Sequence, residues 1–532
     1  MATHEVTNQV PPLDVDPLES DPALLGALGR EGASWAREDV QKLGRAVFTR
    51  EAREWAVQAN ENAPTLRTHD RYGNRVDEVD FHPAWHALLR LSMSYGLHGR
   101  PWREPREGAH VARAAMMMIA SQNESGHGCP ISMTYSAYPA LQKSPALLAE
   151  WGPRATSETY DARFLPAPQK SSALIGMAMT EKQGGSDVRA NTTRAERDGD
   201  AFRLTGHKWF CSAPMSDAFL VLAQAPRGLS CFLLPRWTPD GERNRMSLQR
   251  LKDKLGNRSN ASSEIELDAA WAQPVGEEGR GVQTILEMVN HTRLDCVIGV
   301  AAMMRRSLLE AVHHARHRKA FGRLLVDQPV MRGVLADLAV ESFAATLLTM
   351  RLARAYDRSE APFRRLATAV SKYWICKRAP PFVAEALECL GGNGYVEESG
   401  LPRIYREAPL NSIWEGSGNV MCLDVLRAIA REPASVEAFA AEIRLGRGAD
   451  KRLDAFADAV LAEVAHPDEE SARRLVERLA LLLQGTLLVR HAPPAIADAF
   501  CASRLAGDRG LAFGTLPKGL DAAGIVQEAV AL

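Results

Sequence analysis

The residues Met177-Ala178-Met179-Thr180-Glu181-Lys182-Gln183-Gly184-Gly185-Ser186-Asp187 decide how this chain is read. The apolar run 173–179 predicts a short buried strand. It stops abruptly in a loop that carries a hydroxyl, two charges and paired glycines. Residues without side chains let backbone N–H groups approach a flat or anionic ligand. Thr180 and Ser186 add hydroxyls, and Asp187 is expected to fix the loop through local hydrogen bonds. A plain hairpin turn accounts for the same glycines and is the commoner outcome for such a loop.

With 532 residues the chain is expected to hold several domains. An apolar share of 46% and a charged share of 24% describe an ordinary globular protein. The formal net charge of -1 exerts no global pull on nucleic acid or an anionic membrane. Eight scattered cysteines without a CxxC pair suggest neither a metal site nor a disulfide framework, so reduced thiols in a cytoplasm are expected. Residues 1–13 lack the basic and apolar regions of a signal peptide. No apolar run is expected to span a bilayer.

Helical spacing runs over residues 34–150. His82-Pro83 opens a helix with Trp85, Leu88, Leu89 and Leu91, and 112–119 reads as a second, buried one whose methionines fill core. The loop 122–129, with Gly126, His127 and Gly128, reads as a turn, with a ligand-facing loop as the alternative. From 174 to 268 short strands dominate (203–204, 218–223, 230–234 and 263–267), as in a compact antiparallel sheet or barrel. Helices return over 294–320, 330–356 and 363–390. Three more follow, marked by Val436, Phe439 and Ile443, by Leu453, Phe456 and Val460, and by Leu475, Leu479 and Leu482. The expected class is α+β: an N-terminal helical domain (1–170), a middle antiparallel β-domain (171–280), a helical bundle (281–430) and an extra C-terminal helical domain (431–532).

Three stretches answer the opening loop. Gly206-His207-Lys208-Trp209-Phe210-Cys211-Ser212 sets aromatic rings beside a hydroxyl, which suits a planar ligand or the core of a sheet. Glu388-Cys389-Leu390-Gly391-Gly392-Asn393-Gly394-Tyr395 puts glycines at a helix end, where amides become available for phosphate or for a helix cap. Asn411-Ser412-Ile413-Trp414-Glu415-Gly416-Ser417-Gly418-Asn419 carries a lone carboxylate. Facing a cavity, it would gain basicity by burial; on a solvated loop, it would cap the helix 420–430.

Together these stretches resemble the acyl-CoA dehydrogenase flavoprotein family. Residues 178–190 resemble its first signature, and 388–407, through Glu398, Arg403 and Glu407, resemble its second. Arg318-Lys319-Ala320-Phe321-Gly322 is similar to its Arg-x-x-Phe-Gly element. The resemblance implies a helical domain, a β-domain and a C-terminal four-helix bundle, a homotetramer, and FAD between sheet and bundle. It implies that Met177, Met179, Thr180, Gly185 and Ser186 line the pyrimidine side and the pyrophosphate. Phe210, Cys211 and Ser212 would flank the isoalloxazine, with the Ser212 hydroxyl near N5. Arg318, Phe321, Gly391 and Gly392 would serve the adenosine half of a neighbouring subunit's FAD. Glu415 would be the catalytic base, with Ile413, Trp414, Gly416, Ser417 and Asn419 on the cofactor side. Ser186 and Arg293 would meet an acyl-CoA substrate. The implied reaction removes an α-proton next to a thioester while the β-hydride passes to flavin N5.

Two positions depart from ordinary members. Phe210 stands where a tryptophan is usual, with Trp209 one residue earlier, and Pro329 stands where a glutamine is usual, with Gln328 displaced by one. Residues 81–86, 180–185, 251–262 and 411–419 resemble the AidB-like subfamily of the bacterial adaptive response to DNA alkylation. That implies binding of double-stranded DNA through the extra C-terminal region and at most weak dehydrogenase activity. Arg427, Arg444, Arg447, Lys451, Arg452 and Arg509 are the candidate phosphate contacts. By composition alone, solvated helix faces with local ion pairs explain them better, although a tetramer could gather them into a groove. The alternative function is a metabolic acyl-CoA dehydrogenase with an appended helical assembly domain.

Overall fold

In the computed structural model, which describes residues 3–532, the chain forms two units of interleaved segments. Thr49–Ala109 and Asn123–Asp295 form a β-rich unit; the segment ending at Phe48, His110–Gln122 and Cys296–Leu532 form a helical one.

The β-rich unit begins with a helix, Arg50–Glu61. A hairpin of β1 (Thr65–His69) and β2 (Arg75–Asp80) follows. This corrects the expectation of continuous helical spacing over 34–150. The Asp70 carboxylate accepts the backbone N–H groups of Tyr72 and Asn74, so the chain turns where the pattern alone suggested helix.

The main sheet holds β3 (Ile175–Ala178), β4 (Arg194–Asp198), β5 (Ala201–Ser212), β6 (Ala218–Ala225), β7 (Gly228–Pro235), β8 (Met246–Leu251) and β9 (Ser262–Val275). Its order is β3-β6-β4-β5-β9-β7, with β8 on β9, and β6 also pairs with β7, so the path closes on itself. Most pairings are antiparallel. Those of β3 and β4 with β6 are parallel, which amends the expectation of a wholly antiparallel sheet. The long β3-to-β6 connection, which contains β4 and β5, makes a parallel pairing possible. One core beneath the strands includes Phe202, Leu204, Phe219, Phe232, Leu248 and Ile265. Gly176 lies opposite Phe219 in the β3–β6 register, and a Cβ there would come 2.5 Å from the Phe219 ring. Only glycine lets the two strands close on that ring.

The helical unit is dominated by Pro329–Asp357 and Ala361–Glu388, with Gly418–Arg431 packed on the latter. By length and composition Pro329–Asp357 is apolar enough to cross a membrane, which corrects the expectation that no such run exists. Of its apolar window 89% is buried inside the protein, as befits a core helix. The C-terminal helices Pro433–Arg444, Lys451–Val464 and Ala472–His491 form as expected and pack within this unit. Arg504, fully buried, donates to the carboxylates of Asp337 and Glu341 on Pro329–Asp357. The Trp374 indole donates to Gln484 at 3.1 Å. All eight cysteines are free and buried.

Candidate functional site

In the β-rich unit the opening loop is held from within by Glu181. Its side chain is 0% exposed and faces the equally buried Lys208 of β5 at 2.8 Å. The carboxylate also accepts from the Thr192 N–H (2.6 Å) and hydroxyl (2.9 Å), and from the Thr193 N–H (3.2 Å) and hydroxyl (2.6 Å). Burial pushes the carboxyl up, but the Lys208 ammonium and these donors more than offset it, to about 2. Further ties run from the Trp209 N–H to Thr180 O (2.7 Å) and from the Asn191 amide to Met179 O (2.9 Å). The anchor is therefore Glu181, not Asp187, which is exposed.

Around this anchor the structure gathers Met179, Thr180, Gly185 and Ser186, all partly or fully exposed, with Phe210 and Ser212 on β5. The Phe210 ring is 49% exposed. Trp209 is instead covered by the Lys252 ammonium, 3.3 Å from its ring centroid. The same ammonium also lies over the Phe210 ring, more distantly at 4.9 Å from its centroid, so the half-exposed Phe210 keeps the freer aromatic surface of the two. The Ser212 hydroxyl lies 3.1 Å from that of Ser262. Met177 and Cys211 are buried, and burial pushes the Cys211 thiol up to about 12. Their reading as flavin contacts narrows to the main chain. Edge strand β3, with β6 as its one strand partner among the described residues, leaves a backbone edge for such contacts. Arg293 is buried, at 8% exposure.

The loop 122–129 resolves as a turn tied from inside. Glu124 accepts from the N–H groups of Gly126 and His127, from Asn60, from the Ser259 hydroxyl at 2.7 Å and from His127 Nδ1 at 2.7 Å. Burial alone would raise its pKa, yet His127 and the other donors hold it well below the usual carboxylate range. A Cβ on Gly126 would fall 1.9 Å from the Ser259 oxygen, so this turn and the 251–262 segment interlock. Sequence reading missed this because Ser259 lies 135 positions from Glu124.

In the helical unit Glu415 is one of the few non-glycine residues with positive φ, at 59°. Gly416 follows at φ 103°, and Ser417 is the N-cap of Gly418–Arg431. The Trp414 indole donates to Asn411 at 2.6 Å. The buried Lys372 ammonium donates to the carbonyls on both sides of Glu415, to Trp414 O at 2.8 Å and to Gly416 O. Ile413 is 64% exposed, and Asn419 is exposed.

Arg318, Phe321, Gly391 and Gly392 lie elsewhere in the same unit. Phe321 and Gly322 form the tip of a two-stranded hairpin, both with positive φ, and Phe321 is 98% exposed. The displaced Gln328 supports this tip by donating to Ala320 O at 3.0 Å, while Pro329 opens the next helix. Arg318 donates to Asn8 O at 2.6 Å, and Asn8 pairs with both main-chain groups of Lys319. No sequence signal pointed to Asn8. Added Cβ atoms at Gly391 and Gly392 would meet nothing within 4 Å, so their backbone stands open. An open aromatic face beside a hydroxyl in one unit, and open glycine backbone with an exposed ring in the other, suit the groups expected to hold FAD.

Four of the six candidate DNA contacts are already paired. Arg427 lies 3.6 Å from Asp424, Arg444 2.5 Å from Glu437, Arg447 2.6 Å from Asp458, and Arg452 2.5 Å from Asp450 and 2.7 Å from Asp498. Burial lowers the pKa of Arg509, and Lys451 is exposed.

Comparison with known proteins matches the adaptive response protein AidB N-terminal domain to residues 8–162, the acyl-CoA dehydrogenase middle domain to 176–270 and the acyl-CoA dehydrogenase C-terminal domain to 279–430. The chain is 48% identical over 507 residues to "Putative acyl-CoA dehydrogenase AidB" of Escherichia coli (strain K12), covering 94% of each. It is 31% identical to acyl-CoA dehydrogenase family member 11 of Caenorhabditis elegans, over 91% of this chain and 85% of that one. The solved structure of C. elegans ACDH-11 in complex with C11-CoA superposes with a TM-score of 0.86 at 28% identity, over 95% of this chain and 94% of that one.

Proposed function

The chain belongs to the acyl-CoA dehydrogenase family of FAD flavoproteins, in its AidB-like branch, and on that premise we propose a protein of the alkylation response that binds double-stranded DNA and keeps an acyl-CoA dehydrogenation site at Glu415. The observation that carries the reading is the Glu415 loop, a carboxylate on a main chain held in a left-handed conformation by a buried cation. Such a backbone state persists where the surroundings over-determine it, commonly at catalytic positions.

In this reading the Glu415 carboxylate of the helical unit takes the α-proton of an acyl-CoA thioester, and within the β-rich unit Ser186 and Arg293 are the candidates for substrate contact. Phe210, Ser212, Thr180 and the main chain of Met177 would hold the flavin, with Arg318, Phe321, Gly391 and Gly392 serving a second subunit's cofactor. FAD, when bound, supplies the hydride acceptor that a protein side chain cannot. The exposed apolar tips Phe321, Tyr395 (83%) and Ile413 support a homotetramer, since large exposed apolar residues favour burial against a partner. Free buried thiols support a cytoplasmic location.

The DNA part rests on the resemblance of residues 81–86, 180–185, 251–262 and 411–419 to the AidB-like subfamily, together with the match of residues 8–162 to the adaptive response protein AidB N-terminal domain. The ion pairs of Arg427, Arg444, Arg447 and Arg452 and the packing of the C-terminal region within the helical unit favour the second reading, a metabolic acyl-CoA dehydrogenase with a helical assembly domain. Two measurements separate them. Anaerobic bleaching of the bound flavin by acyl-CoAs, C11-CoA among them, and its loss in Glu415→Gln, tests the dehydrogenase site. A duplex-DNA gel shift across salt tests the other: affinity that falls steeply with salt supports phosphate contacts, and no shift at low salt refutes them.

A further inference from the structure

We propose that Lys372 is the positioning residue for Glu415, an ammonium buried to clamp the peptide units on both sides of the base. Lys372 lies on Ala361–Glu388 and is 1% exposed. Its Nζ donates to Trp414 O at 2.8 Å and to Gly416 O, the carbonyls immediately before and after Glu415. One cation thus fixes the direction of both flanking peptides, and so the Cα–Cβ vector of the residue between them. That residue has φ 59°, a region that a side chain enters only under constraint.

Packing alone does not call for a lysine here. A methionine would fill the same space without the cost of burying a charge. The charge is retained where two carbonyl dipoles converge, and they converge only because the chain turns at Glu415. The same helix holds the loop a second time. A Cβ on Gly418 would lie 2.9 Å from Lys377 Cε and 3.5 Å from the Tyr373 ring, so the first residue after the loop lies close against Ala361–Glu388. Lys372 acts through Glu415 and needs no contact with substrate.

The test uses the FAD-loaded full chain with Lys372→Met, and Lys372→Arg as the variant that keeps charge and donors. Hydrogen exchange is the first readout. In Lys372→Met the peptide 411–419 exchanges at least about tenfold faster, while Ala361–Glu388 keeps its protection and Lys372→Arg stays nearer wild type. Unchanged exchange over 411–419 overturns the proposal. The second readout rests on the dehydrogenase reading of Glu415: flavin reduction by C11-CoA falls by about 100-fold while the C11-CoA dissociation constant changes by less than about threefold. A weakened dissociation constant with an intact reduction rate overturns the proposal as well. Should wild type resist reduction by every acyl-CoA, the dehydrogenase reading fails, and the exchange result alone decides for or against the clamp.

Discussion

Replacing Lys208 by methionine removes the ammonium that faces the buried Glu181 carboxylate. Both side chains are 0% exposed, so the charge left behind would be buried without its partner. Breaking one partner of such a pair costs about 3–5 kcal/mol. At roughly 2–4 °C per kcal/mol for a unit of about 150–250 residues, the temperature of flavin release should fall by about 6–20 °C. Glu181→Gln should cost a similar amount, because it removes the charge opposite Lys208 and its NH2 must face either the Thr192 donors or the Thr193 and Lys208 donors, whichever its one oxygen does not accept. The double variant buries neither charge alone and should be less damaged than the two losses added together. Acid supplies an independent check. Glu181 is held at about 2 against an ordinary value of 4.5, so its contribution is complete above about pH 4.5 and is lost as pH falls toward 2. The gap between wild type and Lys208→Met should therefore narrow over that window. Flavin fluorescence during heating reads all of these, and a shift under about 2 °C for Lys208→Met would refute the reasoning.

Phe321→Ser should leave the monomer's fold intact, because the ring is 98% exposed, yet lower flavin content and dissociate the oligomer. Light scattering after gel filtration and the flavin absorbance check it; unchanged values on both count against a role between subunits. Gly176→Ala should cost about 1–3 kcal/mol by overpacking against the Phe219 ring, and Phe219→Leu in the same chain should recover part of it, read as melting midpoints. Burial, with Arg30 and Arg490 nearby, lowers His491 to about 4. The folded protein keeps this imidazole neutral, so stability is complete above pH 6.5 and declines toward pH 4 as the unfolded chain takes up the proton first. His491→Gln should flatten the melting temperature over that range, and an unaltered profile would reject the assignment.

How much was legible depended on the distance between partners. The Thr180–Asp187 loop declared itself through its glycines and the strand before it. Its internal anchor did not, because Lys208 is 27 positions away and a lysine beside aromatic residues reads as solvent-facing. Glu415 stood out as a lone carboxylate between an aromatic and glycines, whereas Lys372, 42 positions before Trp414, sat unremarked in a helix. β1 and β2 were missed because Arg67, Glu78 and Asp80 pair across the strands, and charged residues on a two-stranded hairpin leave no apolar alternation to detect. The C-terminal arginines were legible as ion-pair partners from composition alone, since their carboxylates lie within the same short helical region.

The interleaving of the two units constrains how the chain can be made. Residues up to Phe48 and His110–Gln122 belong to a unit whose remainder begins at Cys296, so they leave the ribosome long before that remainder is made. The β-rich unit is complete in sequence at Asp295, while the helical unit waits for the rest of the chain. At roughly 5–20 residues per second that wait lasts on the order of tens of seconds, during which the apolar His110–Gln122 segment lacks the later helices of its unit. Chaperone demand should therefore concentrate in the first half of synthesis. No single cut in the gene yields both units whole, so exchanging or trimming either one requires at least two coordinated breaks.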